Sequence, residues 1–175
     1  MTTNVTKDGV PMTMITFDHG SDRFTLRAVG VTLDGERVLL QKDPFGDFWF
    51  LPGGRCELGE TVTESLQREM MEELGVAATA ERLLWVVENF FHFGGQVHHE
   101  LGLYWLMRMP QDWLSTHRTG LITGKEGDIP IDFHWFDRRE IESIILHPEF
   151  LRSALNNLPD APQYVVQHNQ DTTCC

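Results

Sequence analysis

Three glutamates, Glu69, Glu72 and Glu73, stand at i, i+3 and i+4, a spacing that brings their side chains onto one arc of a helix. Carboxylates gathered so closely repel one another and raise one another's pKa unless something compensates them. A divalent cation is the simplest compensation. Oxygen donors alone suit Mg²⁺ or Mn²⁺ rather than Zn²⁺, and Mg²⁺ takes few carboxylates, keeps waters and completes its shell with substrate phosphates. A metal so placed offsets phosphate charge, polarises phosphorus and acidifies an attacking water. The chemistry indicated is hydrolysis of a diphosphate. By composition alone a Glu-rich amphipathic helix is a solvated face, but the run before it, Leu51-Pro52-Gly53-Gly54, argues otherwise. Its turn residues let backbone at Gly53 come close to a metal or a phosphate.

The helix that carries the glutamates has legible ends. Thr61 with Glu64 three residues on is a capping-box signature, and Gly75 can close the helix in a left-handed conformation. Leu66, Met70 and Leu74 form the packing stripe. Together the segment reads Gly54, five residues, Glu60, seven residues, Arg68-Glu69, Met70, any residue, Glu72-Glu73, any residue, Gly75-Val76. This is a complete Nudix box, and over roughly residues 23 to 157 the chain resembles the Nudix hydrolases, which cleave a nucleoside diphosphate linked to a further group. The resemblance implies an α/β fold, an α/β/α sandwich around a mixed β-sheet, with Glu69, Glu72 and Glu73 as metal ligands. It makes Glu57 an additional ligand in some members and Glu60 a structural residue. Arg68 is then expected to hold neighbouring carboxylates through its fork of donors.

The general base is open between two glutamates. Gly124-Lys125-Glu126-Gly127 is similar to a loop of the nucleotide-pool-cleaning branch that carries an additional ligand or base glutamate. Glu100 is the rival, in Val97-His98-His99-Glu100-Leu101, where His98 and Glu100 share a strand face and His99 takes the other. Lys42, Arg55 and Lys125 are the cations to place near phosphate. Phe91, in Glu88-Asn89-Phe90-Phe91-His92-Phe93, could stack on a base or fill a sheet face, and His98 could touch substrate or serve structure. A proline or tyrosine shortly after the box marks ADP-ribose and dinucleoside-polyphosphate members; this chain has Phe91, His92, Phe93 and Gly94 there.

With 175 residues and an apolar share of 41%, the chain is long enough for one domain with a substantial core. A formal charge of −12 disfavours long nucleic acid and anionic membranes, whose affinity rests on Lys and Arg. A small nucleotide remains a suitable partner, and a homodimer is left open. No apolar run has the length to span a bilayer, and the N-terminus lacks the regions of a signal peptide, so the expected location is cytoplasmic. Cys56, Cys174 and Cys175 offer no disulfide framework and no zinc pattern, and their thiols are expected to be exposed.

The organisation expected is an N-terminal arm or edge strand over 1–22, a single domain over 23–167 and a tail over 168–175. A hairpin turns at Asp34-Gly35, a short aromatic strand covers 48–51, and strands at 82–93 and 96–108 flank Gly94-Gly95. A loop from Pro110 to Pro130 precedes a strand at 132–136, helices at 138–146 and 148–157, and a closing strand around 164–166. The function read from these features is metal-dependent hydrolysis of a pyrophosphate bond in a small nucleoside diphosphate derivative or nucleoside triphosphate. The alternative is a nucleotide-binding sensor that does not cut, which the intact glutamate cluster disfavours.

Overall fold

The computed structural model describes residues 13–168. The N-terminal twelve residues and the terminal Cys174-Cys175 therefore lie outside the described residues. Among the described residues, ten strands form one mixed sheet. In chain order they are β1 (Thr16–His19), β2 (Asp22–Asp34), β3 (Arg37–Lys42), β4 (Trp49–Phe50), β5 (Gly53–Arg55), β6 (Thr79–Phe93), β7 (Gln96–Arg108), β8 (Ile122–Glu126), β9 (Ile129–Asp137) and β10 (Gln163–His168). The main path runs β10-β6-β7-β2-β3-β9-β8, with β1 and β5 paired to β2 and β4 paired to β3. Two pairings are parallel, β2 with β7 and β10 with β6; the others are antiparallel.

The central strands are buried on both faces, because successive side chains alternate between two cores. Ala28 and Leu39 point to a core shared with Leu66, Met70 and Phe133. Their neighbours Val29, Val38 and Leu40 point to the opposite core, with Trp85, Leu146 and Leu151. Helix α1 (Val62–Leu74) covers the first face. Its capping box forms as the sequence predicts: the Glu64 amide donates to Thr61 Oγ1 (3.2 Å), and the Thr61 amide donates to Glu64 Oε2 (2.8 Å). Gly75 closes it at φ 64°.

Three expectations need correction. Cys56 is not exposed: it is 1% accessible and belongs to the core beneath α1, where burial raises its thiol pKa. The span between Pro110 and Pro130 is not all loop. It holds the short helix α2 (Gln111–Thr116) and strand β8, whose ladder with β9 ends at Glu126 and Ile129. Gly124 explains why a strand fits there, since a Cβ on it would lie 2.2 Å from the Glu73 carbonyl oxygen at the helix end. Finally, the two late helices shrink to a 3₁₀ turn over Arg138–Ser143 and α3 (Leu151–Ala154). The segment between them is taken by β4: Ile145 accepts from the Trp49 amide (2.8 Å) and the His147 amide donates to Trp49 (2.9 Å). Pro148 also disfavours helical backbone at the residue before it. Among the described residues no helix is long and apolar enough to cross a membrane.

Candidate active site

The glutamate face of α1 lies against the loop that leads into it, and two adjacent glycines make the fit. A Cβ on Gly54 would fall 2.1 Å from the Glu69 carboxyl group, and one on Gly53, at φ 140°, would fall 2.1 Å from the Ala28 carbonyl oxygen. Arg68 organises the acids around it. It donates to both oxygens of Glu60, through Nη2 (2.8 Å) and Nε (3.2 Å), and through Nη1 to Glu69 (2.8 Å) and more distantly to Glu72 (3.4 Å). Glu60 also accepts from the Glu57 amide (2.7 Å). Burial alone would raise Glu60, but Arg68 and that amide more than offset it, so this carboxyl titrates below the usual range. A carboxylate so fully satisfied has little left to give a metal.

Glu73 is in the opposite condition. It is 5% exposed, and its Oε2 has no hydrogen-bond partner. Burial, then the nearby charge of Glu69, pushes its pKa up to about 8, with Glu126 and Glu72 adding to the rise and Arg27 opposing it. Glu69 is also raised by burial, moderated by Arg68. Glu57, 2% exposed, is raised by burial and likewise keeps an unpartnered Oε2. Among the described residues, no three His, Cys, Asp or Glu side chains already converge as a ready metal-binding group, and Glu69 is drawn toward Arg68. The donors nevertheless fit a hard cation: they are oxygens, two of them are buried without a partner, and their mutual repulsion is relieved by positive charge.

Arg27 connects this cluster to a cavity of about 230 Å³. Its Nη2 donates to the Gly53 carbonyl (2.8 Å), and its guanidinium lies 5.8 Å from the Phe50 ring centre. Its charge reaches Glu69, Glu73 and Glu100. The cavity is walled by Phe48, Phe50, Phe91, Phe93 and His147, with Asn89, Glu100 and Tyr104 on the sheet side. Register explains the last three: Asn89 pairs with Glu100 across β6 and β7, and Tyr104 follows on the same face. Burial raises the Glu100 carboxyl, partly offset by Arg27 and by a hydrogen bond from Asn89.

The sequence candidates thus divide. Glu69, Glu72 and Glu126 each lie close enough to Glu73 to raise its pKa. Glu100 is within reach of Arg27 but belongs to the cavity, and Phe91 is on the cavity wall, stacked on His98 at 4.8 Å. Gly53, proposed to approach the metal, offers its carbonyl to Arg27. Lys42 is paired with Asp47 (2.6 Å) and lies 5.3 Å from the Trp49 ring centre. Arg55 is half-buried on β5, where its carbonyl accepts from Arg68 (3.3 Å). Lys125 is exposed on β8. Arg27 and Asn89 were missed by sequence reasoning; the available signal was a lone charge and a lone amide within apolar strand segments, Leu26-Arg27-Ala28-Val29 and Trp85-Val86-Val87-Glu88-Asn89.

Comparison with known proteins agrees with this architecture. The family model for the NUDIX domain matches residues 24–158. Among characterised relatives, the Homo sapiens 8-oxo-dGDP phosphatase is 42% identical over 68 residues, which are 38% of this chain and 21% of that protein. An uncharacterised Nudix hydrolase of Bacillus subtilis is 28% identical over 115 residues, 65% of this chain and 66% of its own length. The chain covers less than a third of the first curated relatives it matches. Two solved structures share the fold: the MutT protein of Bacillus halodurans (TM-score 0.57, 18% identity, 83% of this chain and 90% of that one) and an ADP-ribose pyrophosphatase of Streptococcus suis (TM-score 0.54, 14% identity, 82% and 98%).

Proposed function

This chain belongs to the Nudix hydrolase family, and on that premise we propose that it hydrolyses a pyrophosphate bond in a small nucleoside diphosphate derivative or nucleoside triphosphate, with Mg²⁺ or Mn²⁺ held by Glu69, Glu72 and Glu73. The observation that carries the reading is the state of Glu73, a buried carboxyl with an unpartnered oxygen, crowded by Glu69, Glu72 and Glu126. A fold tolerates such a group when a ligand completes it. Activities carried in the names of similar proteins lie within this class, 8-oxo-dGDP phosphatase and ADP-ribose pyrophosphatase among them.

A divalent cation bound there would supply charge neutralisation for the phosphates and a more acidic attacking water. The chain's own residues do the rest. Arg68 keeps Glu69 directed while Glu60 holds Arg68. Arg27 stands between the carboxylates and the cavity, the place where it can meet a phosphate oxygen while the aromatic walls take the remainder of the substrate. Glu126, exposed at the end of β8 and close enough to perturb Glu73, takes the proton of the attacking water on its carboxylate. Water adds to one phosphorus, the P–O bond to the bridging oxygen breaks, and two phosphate-bearing products leave.

The test is a panel of nucleotides assayed with Mg²⁺, with Mn²⁺ and with EDTA. Turnover that requires the metal, and falls at least about a hundredfold in Glu69→Gln and in Glu73→Gln with the fold intact, is the expected result. Undiminished turnover in excess chelator would overturn the metal role. Tight nucleotide binding with no turnover under any metal would leave a sensor in place of an enzyme.

A further inference from the structure

We infer that the cavity selects a guanine-type base, one presenting two neighbouring N–H donors, and that Asn89 and Glu100 are the residues that read it; this rests on the nucleotide reading above. Asn89 is 6% exposed, lines the cavity and donates its amide to Glu100. With the Asn89 NH₂ turned toward a Glu100 carboxyl oxygen, the Asn89 Oδ1 is left over. That oxygen is buried and has no partner. The sheet side of the cavity therefore offers two acceptors next to each other, the Asn89 carbonyl and the Glu100 carboxylate, and asks a ligand for donors.

Tyr104 shapes the same surface. Its ring lies over Gly102, where a Cβ would come within 2.7 Å of the ring edge, so this glycine is what lets the Tyr104 ring sit there as part of the cavity wall. Phe50 and Phe91 provide faces on which a base can stack. Arg27, whose charge reaches both Glu73 and Glu100, separates the acceptor pair from the carboxylates that would face the phosphates. The two ends of a nucleotide thus have distinct partners.

Base chemistry then discriminates. The Watson–Crick edge of guanine places N1–H beside the N2 amino group, two donors for two acceptors. Adenine and cytosine each set one amino donor beside a ring-nitrogen acceptor, which would face an acceptor here, and uracil or thymine flanks a single N–H with carbonyls. A site with buried acceptors rejects a ligand that leaves one unpaired. Glu100 is thereby a specificity residue and Glu126 is left as the base.

The experiment pairs binding with turnover: calorimetric titration of GDP and ADP in EDTA, and kcat/KM for dGTP and dATP with Mg²⁺, on the parent, Glu100→Gln and Asn89→Ala. The parent is expected to favour guanine by about ten- to a hundredfold in both measurements. In each variant that ratio should fall toward unity, through a rise in the guanine KM. Equal affinity for both bases, or a preference for adenine, overturns base selection alone. A collapse of kcat on both bases in Glu100→Gln overturns it as well and assigns Glu100 to the chemistry. Binding of neither nucleotide in EDTA, together with turnover of neither dGTP nor dATP with Mg²⁺, overturns the nucleotide reading and this inference with it.

Discussion

Glu73→Gln is expected to stabilise the metal-free protein, and to do so more strongly as pH rises. Folding moves the Glu73 carboxyl from an ordinary 4.5 to about 8, so between those values the folded state holds a proton that the unfolded state has released. Stability from this group is therefore present at low pH and is lost as pH rises toward the folded value. At ~1.4 kcal/mol for each pH unit in that window, raising the pH from about 5.5 to about 8 costs the folded state about 3 kcal/mol through this one group. For a domain of this size each kcal/mol moves Tm by about 2–4 °C, giving about 6–12 °C. The assay is thermal unfolding in EDTA across that pH range, read as the gap between parent and variant, because Glu57, Glu69 and Glu100 also have raised values and are common to both proteins. Glutamine keeps the shape and does not titrate. Adding Mg²⁺ should stabilise the parent more at about pH 8 than at about pH 5.5, since cation and proton compete for the same oxygens. A gap that stays constant with pH would refute the account of Glu73 as a desolvated acid.

Arg68→Ala should lower stability by about 2–4 kcal/mol in denaturant unfolding, since it strands Glu60 and Glu69 without their partner; Arg68→Lys should recover little, because an ammonium cannot span both oxygens of Glu60 while holding Glu69. Gly53→Ala and Gly54→Ala should part company: the first meets backbone at Ala28 and should unfold the domain or cost several kcal/mol, about 3 or more, whereas the second meets only the end of the Glu69 side chain and should mainly weaken apparent Mg²⁺ affinity in activity titrations. Glu126→Gln should reduce kcat by about a hundredfold or more, with a smaller change in KM and a flattened acidic limb of the pH–rate profile; an unchanged profile would remove it as the base.

The local chemistry was legible because it is local. Thr61, Glu64 and Gly75 delimit a helix through contacts no more than a turn away, and the spacing of Glu69, Glu72 and Glu73 gathers carboxylates on that helix wherever it packs. The long strands β6 and β7 likewise follow from apolar runs either side of Gly94-Gly95. Tertiary structure decided what depends on partners distant in sequence. Cys56 looks like a thiol in a polar loop until α1 covers it, and the stretch around Gly124 looks like a loop until β9 pairs with it and the end of α1 leans on the glycine. The late helices yielded to β4, because the hydrogen bonds that Trp49 donates to Ile145 and accepts from His147 outcompete local helical propensity. Arg27 and Asn89 had no motif to announce them. They acquire their roles from register alone, which sets Asn89 beside Glu100 and brings Arg27, on the neighbouring strand, between the carboxylates and the cavity; a one-residue slip would have pointed both into the opposite core.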